Sequence, residues 1–158
     1  MRFAVDKMLG RLAKWLRILG YDTVFDPYAP SGVIIKQAVE EKRIFLTRDM
    51  KFAKNPDLAE FFIVRSEHYR EQLREVVGHY HLDIYARLFT RCTVCNEEIL
   101  SVEKDAVKDS LPEKSALNFD KFYQCPKCKR VYWGGTHTQN TKRRLKEIFP
   151  ELVEGEPH

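Results

Sequence analysis

Two Cys-x2-Cys pairs constrain this chain more than any other feature. Cys92 and Cys95 form the first pair and Cys125 and Cys128 the second, with 29 residues between them. A two-residue spacer lets both thiolates of a pair reach one ion from a tight turn, and two such pairs close a tetrahedral site suited to Zn2+. The competing use of four cysteines is a pair of disulfides. No apolar export segment opens the sequence, so the expected setting is the reducing cytoplasm, where thiolates hold metal. A site closed by four thiolates has no open coordination position. The zinc is therefore expected to hold a fold together, and any chemistry must lie elsewhere.

A chain of 158 residues has room for one domain with its own core and a smaller module that leans on a metal. The expected division is a first domain over 1–88, a zinc ribbon with a terminal helix over 89–149, and a tail over 150–158. The 27 Lys and Arg against 23 Asp and Glu make the chain mildly basic, which permits a phosphate-rich partner without demanding one. No run of 18 apolar residues predicts a membrane span.

Arg2–Val5 is a short apolar run that ends at Asp6 and feeds a strongly periodic stretch, a strand followed by a helix. From Met8 to Leu19 the residues Met8, Leu12, Trp15, Leu16 and Leu19 share one helical face, with Lys7, Arg11 and Lys14 on another. Gly20 ends that helix, and Tyr21–Phe25 is extended up to the Asp26-Pro27 turn signal. A second helix fits Gly32–Glu41 with Val33, Ile34 and Ala38 inward. Arg43–Leu46 and Phe61–Val64 read as strands, and Tyr69–Val77 as a further amphipathic helix. Strands alternating with helices give an α/β fold, a parallel sheet flanked by helices, whose site lies beyond the carboxyl ends of the strands.

Asp6, Asp26 and Asp49 each stand at or just after such an end. Three carboxylates gathered without cysteine or histidine suit Mg2+ or Mn2+, and the matching chemistry is hydrolysis of phosphodiesters. The same residues have simpler uses. Asp6 and Asp49 precede helical segments, where an aspartate caps backbone N–H groups, and Asp26 before proline is an ordinary turn residue. Asp22 fits an edge or a turn. No G-x-G-x-x-G or P-loop pattern follows the first strand, so a nucleotide-binding loop is not indicated.

The run from Val5-Asp6-Lys7-Met8-Leu9-Gly10-Arg11-Leu12 through Trp15-Leu16-Arg17-Ile18-Leu19-Gly20-Tyr21-Asp22, and then Leu46-Thr47-Arg48-Asp49, resembles the PIN-like RNases of the Mut-seven C-terminal domain family. Both cysteine pairs, Tyr132-Trp133 and Gly135-Thr136-His137 are similar to that family's zinc ribbon and closing signature, so the resemblance covers about residues 2–145. It implies a PIN-like sheet followed by a small β-rich zinc ribbon, a metal-dependent ribonuclease activity, and an acidic cluster that includes Asp6 and Asp49. It also implies an acid at the start of the second helix, near Ser31. Serine carries no charge, so Asp26 or Asp22 supplies the ligand, or metal binding is weak, or catalysis is lost.

Lys7, Arg11 and Lys14 would place cations where an RNA backbone approaches Asp6, although a solvated helix face is the ordinary use of such residues. Arg48 stands beside Asp49. In the ribbon, strands are expected at Ile99–Val102, Phe119–Gln124 and Val131–Trp133, with an exposed loop or hairpin extension over Lys104–Asn118. Asn96 after the first pair tolerates a left-handed backbone, whereas Lys129 after the second tolerates it less. Trp133 either stacks on an unpaired base or packs around the metal. His137 either contacts substrate or is satisfied at a turn. Thr141–Phe149 reads as a helix carrying Lys142, Arg143 and Arg144, which hold RNA phosphates or face solvent.

The leading expectation is a cytoplasmic ribonuclease using Mg2+ or Mn2+ at Asp6, Asp49 and Asp26, with zinc at the four cysteines and single-stranded RNA as partner. An RNA-binding or assembly module on the same scaffold is the alternative that Ser31 motivates. A DNA-binding regulator built on the ribbon is disfavoured by the weak overall charge and the lack of a recognition helix.

Overall fold

All four residues of the strand Ile44–Thr47, and all but the first of Arg2–Val5, are buried, as in strands covered on both faces. The computed structural model, which describes residues 1–155, accounts for this directly. Arg2–Val5 (β1), Asp22–Val24 (β2), Ile44–Thr47 (β3) and Glu60–Ile63 (β4) form one parallel sheet in the order β2-β1-β3-β4. The two fully covered strands are central and the two less buried ones are edges.

Helices Gly10–Ile18 (α1), Ser31–Glu40 (α2) and Tyr69–Tyr80 (α3) follow β1, β2 and β4. Side chains alternate across a strand, so Ala4 and Phe45 face one way. They pack with Ile34, Ile35 and Ala38 of α2 and with Leu58. Phe3 faces the other way and meets the ring of Tyr80 on α3, which packs beside α1. By the same alternation Asp6 and Thr47, two residues beyond Ala4 and Phe45, point to the side of α2.

Two apolar residues do not take the inward positions expected of them. Met8 is 81% exposed because the chain makes a single 3-10 turn over Lys7–Leu9 before α1 begins, which rotates it off the helical face. Val33 is exposed as well, since the inward face of α2 runs through Ile34, Ile35 and Ala38. Leu12, Trp15, Leu16 and Leu19 are buried as the periodicity requires.

The first compact unit comprises residues 1–96 and includes the first cysteine pair; a second begins at Glu97. The second unit carries an antiparallel sheet, Leu100–Val102 (β5), Phe122–Gln124 (β6) and Val131–Tyr132 (β7), in the order β5-β6-β7. The expected loop over Lys104–Asn118 is instead two short helices, Lys104–Val107 (α4) and Glu113–Asn118 (α5), joined by a 3-10 turn. The last helix, Thr136–Ile148 (α6), starts five residues before the expected Thr141 and buries Leu145 and Ile148. Of the tail expected over 150–158, residues 156–158 lie outside the described residues.

Candidate functional site

In a parallel sheet of order β2-β1-β3-β4 the chain leaves β1 towards one edge and later returns to β1's other side, so the topological switch point lies between β1 and β3. Crevices open there beyond the carboxyl ends of the strands. Asp6 continues the ladder directly after β1, its N–H donating to the Leu46 carbonyl at 3.0 Å. Its carboxylate, only 5% exposed, takes three donors. The Lys7 N–H reaches Oδ1 at 2.9 Å, the Ser31 hydroxyl reaches the same oxygen at 3.3 Å, and the Thr47 hydroxyl donates to Oδ2 at 2.8 Å. A carboxylate offers about four lone-pair directions, so one of them, on Oδ2, is left by this set.

Thr47 ties the second aspartate to the first. Its hydroxyl donates to Asp6 and accepts the Asp49 N–H at 3.0 Å, so the two chain segments share one oxygen. The Asp49 side chain accepts the Lys51 N–H at 3.0 Å through Oδ1 and pairs with Lys51 Nζ at 3.4 Å through Oδ2. It caps the 3-10 turn Met50–Lys54, yet its side chain remains 45% exposed beside the switch point.

Asp26 is exposed and accepts the Tyr28 N–H at 2.9 Å, closing the turn that leads to α2. Asp22 stands elsewhere. It opens β2, pairs in register with Arg2 at the start of β1, and so lies at the amino end of the sheet. There it takes Arg43 Nη1 at 2.8 Å and the Asn96 amide at 2.7 Å. Burial raises the proton affinity of the Asp22 carboxyl, but the hydrogen bonds from Arg43 and Asn96 outweigh it and hold the group below its ordinary range. Asp22 therefore cannot supply the ligand that Ser31 lacks.

The four cysteine sulfurs lie within 4.8 Å of one another, and none takes part in a disulfide. A zinc ion about 2.3 Å from each of four tetrahedral sulfurs needs them about 3.8 Å apart, so the set fits the ion with little contraction. The two turns are alike. The Asn96 N–H bonds the Cys92 carbonyl at 2.9 Å and the Lys129 N–H bonds the Cys125 carbonyl at 3.0 Å. The Cys95 and Cys128 N–H groups point at the sulfurs of Cys92 and Cys125 at 3.4 and 3.5 Å. Asn96 and Lys129 both take left-handed backbone, φ 67° and 66°, so the second knuckle imposes this conformation on a lysine. Among the described residues, this is the group of three or more candidate ligands that converges.

The first knuckle is built into the α/β unit by residues that spacing did not single out. Arg17, buried on α1, donates Nη1 to the carbonyls of Thr93 and Val94 at 3.0 and 3.2 Å, and Nε to Thr23 at 2.9 Å. Burial lowers its proton affinity, with Cys92, Cys95 and Asp22 partly offsetting the loss. Asn96 accepts the Thr23 N–H at 2.9 Å while its amide holds Asp22. A polar residue on the buried face of α1 was the signal for Arg17.

A model of the Mut7-C RNAse domain matches residues 1–145, a span that takes in the switch point and both cysteine pairs. The chain belongs to the Mut7-C RNAse domain family. No curated protein and no solved structure matches it. Membership in an RNase domain family points to RNA as the class of substrate. Within this Mut7-C chain, Lys7, Arg11 and Lys14 are exposed, as is Arg48, whose guanidinium donates to the Arg65 carbonyl at 3.2 Å. Trp133 is partly buried; its ring lies 6.3 Å from that of Phe122, and a Cβ on Gly135 would meet its indole nitrogen at 2.8 Å. The packing use of Trp133 is thus present. His137 is exposed in the first turn of α6, and Arg143 and Arg144 are exposed while Lys142 is partly so. No helix among the described residues is long and apolar enough to cross a membrane.

Proposed function

We propose that this chain is a divalent-metal-dependent ribonuclease that hydrolyses RNA phosphodiesters at the β1/β3 switch point, with Asp6 and Asp49 as the principal ligands and Asp26 as an outlying one. The observation that carries the reading is the shared Thr47 hydroxyl, which holds the Asp6 carboxylate and the Asp49 backbone together at the carboxyl edge of a parallel sheet. Mg2+ or Mn2+ bound there would supply a Lewis acid for the phosphate and make water nucleophilic near neutral pH. Asp6 is fixed by three donors and keeps one lone-pair direction for a ligand. Asp49 is the more accessible partner, and Lys51 must yield its Oδ2 when a cation arrives. Lys7, Lys14 and Arg48 attract the backbone of single-stranded RNA, and Arg11 is a further RNA contact on the same helix. The zinc knuckles hold structure, and Trp133, His137, Lys142, Arg143 and Arg144 offer further RNA contacts.

The Ser31 hydroxyl on Asp6 favours a second reading, an RNA-binding module with weak catalysis. An acid in that place would set two carboxylates side by side and demand a cation between them, whereas serine satisfies Asp6 without one. The two readings part in one assay. Zinc-loaded protein given Mn2+ should cut a single-stranded RNA, and Asp6→Asn or Asp49→Asn should each lower the rate by about 100-fold or more. RNA that is bound but left intact would favour the second reading.

A further inference from the structure

An open groove of about 660 Å³ runs between the turn that starts α1 and the first turn of α3, inside the first unit. One wall begins two residues after Asp6, with Leu9 donating its N–H to the Asp6 carbonyl at 2.9 Å. Met8 and Arg11 line this wall, and His68 and Tyr69 line the other. Arg11 is exposed, and its guanidinium carbon sits 3.8 Å from the centroid of the Tyr69 ring. Tyr69 is in turn stacked on Trp15, centroids 6.5 Å apart and planes 14° from parallel. Trp15 is buried, so the stack is anchored in the core.

This arrangement holds a planar cation over an anchored aromatic ring, with an exposed thioether beside it. A guanidinium on an aromatic ring offers its second face for stacking, and methionine adapts to planar apolar surfaces. The formal charges in the lining balance, Arg11 and Arg70 against Glu67 and Glu71, so the groove does not select a phosphate. An uncharged planar group is the better fit. The Lys7 and Lys14 face of the same helix start, by contrast, carries no acid and suits the backbone.

Resting on the ribonuclease reading, we propose that the groove receives one unpaired nucleobase of the RNA, stacked on the Arg11 guanidinium, and so aligns the strand across Asp6. Bases reach such a plane only when unpaired, so the groove selects single-stranded over duplex RNA. A base stacked on an aromatic side chain gains about 1–3 kcal/mol, a factor of about 5–150 in affinity, which sets the scale for a base on a guanidinium plane.

The test is binding of a fluorescent single-stranded octaribonucleotide to zinc-loaded protein in buffer without Mg2+ or Mn2+, read by anisotropy, with cleavage in Mn2+ assayed in parallel. Arg11→Lys should weaken binding about 5–150-fold while leaving the salt slope unchanged, because charge is kept and the plane is lost. Lys14→Ala should instead flatten the slope by about 0.7. An octamer stripped of its bases should bind wild type no better than the intact octamer binds Arg11→Lys. Equal binding by wild type and Arg11→Lys, with melting temperatures also equal, overturns the base site even if Mn2+ cleavage is seen. Arg11-dependent binding without any cleavage keeps the base site and removes the nuclease reading.

Discussion

On the proposed function, Ser31 sets how readily a cation would be held beside Asp6. Its position at the start of the second helix follows from the family pattern, but the contact it makes with Asp6 depends on β1 and β3 being neighbours, which sequence periodicity does not reveal. Replacing a hydroxyl donor by a carboxylate restores the repulsion that a cation relieves. Ser31→Asp should therefore bind Mn2+ about 10-fold or more tightly than wild type in calorimetry, and should be the less stable of the two when no divalent ion is present. Unchanged affinity would mean that the cation is not held beside Asp6. Lys129 illustrates the opposite case, in which composition misleads. Lysine is a poor residue for left-handed backbone, yet the cysteine spacing dictates the turn and the side chain complies. Lys129→Gly should raise the stability of the zinc-loaded protein by about 1 kcal/mol in denaturant melts.

At the level of elements, α1 connects two places. Its first turn follows Asp6 and its last turn holds the first cysteine knuckle through Arg17. Gly20, just after it, has φ 93°, and a Cβ there would stand 2.2 Å from the Arg87 carbonyl, so both backbone and space require glycine. The sequence showed Gly20 as a helix stop; the close approach of Arg87, 67 residues along, was not visible in it. Arg17→Met keeps the apolar stem but removes three donors to backbone carbonyls. It should speed zinc release to a chromogenic chelator by about 10–100-fold, since groups that orient a metal's ligands have effects of that size.

The strand starts are tied by Asp22 and Arg43. Because the folded Asp22 carboxyl titrates below its ordinary value, its contribution is present above about pH 4 and is lost as pH falls below that. Glu41 acts in the same direction, first through the hydrogen bond from Gln37 and then through Arg43. Asp22→Asn should be less stable than wild type by about 1–2 kcal/mol at pH 7, with the gap closing towards pH 3 in urea melts. A gap that persists at pH 3 would show that shape, not charge, is what Asp22 supplies.

Across the whole molecule, legibility followed the strength of the repeating pattern. The parallel sheet was readable because its central strands are continuous apolar runs, α1 to α3 because each carries buried apolar residues at helical period, and the cysteine turns because their spacing is itself the geometry. Helices α4 and α5 were missed, since elements of four and six residues with one buried apolar side chain between them leave no periodic trace. The end of the sheet at which Asp22 lies was likewise hidden, because strand register belongs to the pairing and not to either strand. What the fold adds is the convergence of Asp6, Ser31, Thr47 and Asp49 at one switch point. Anomalous scattering from a crystal of zinc-loaded protein soaked in Mn2+ tests that most directly. A Mn2+ peak within coordination distance of Asp6 Oδ2 and the Asp49 carboxylate is expected if this pair holds the cation; a fully soaked crystal with Mn2+ bound elsewhere and none at this pair would rule that out.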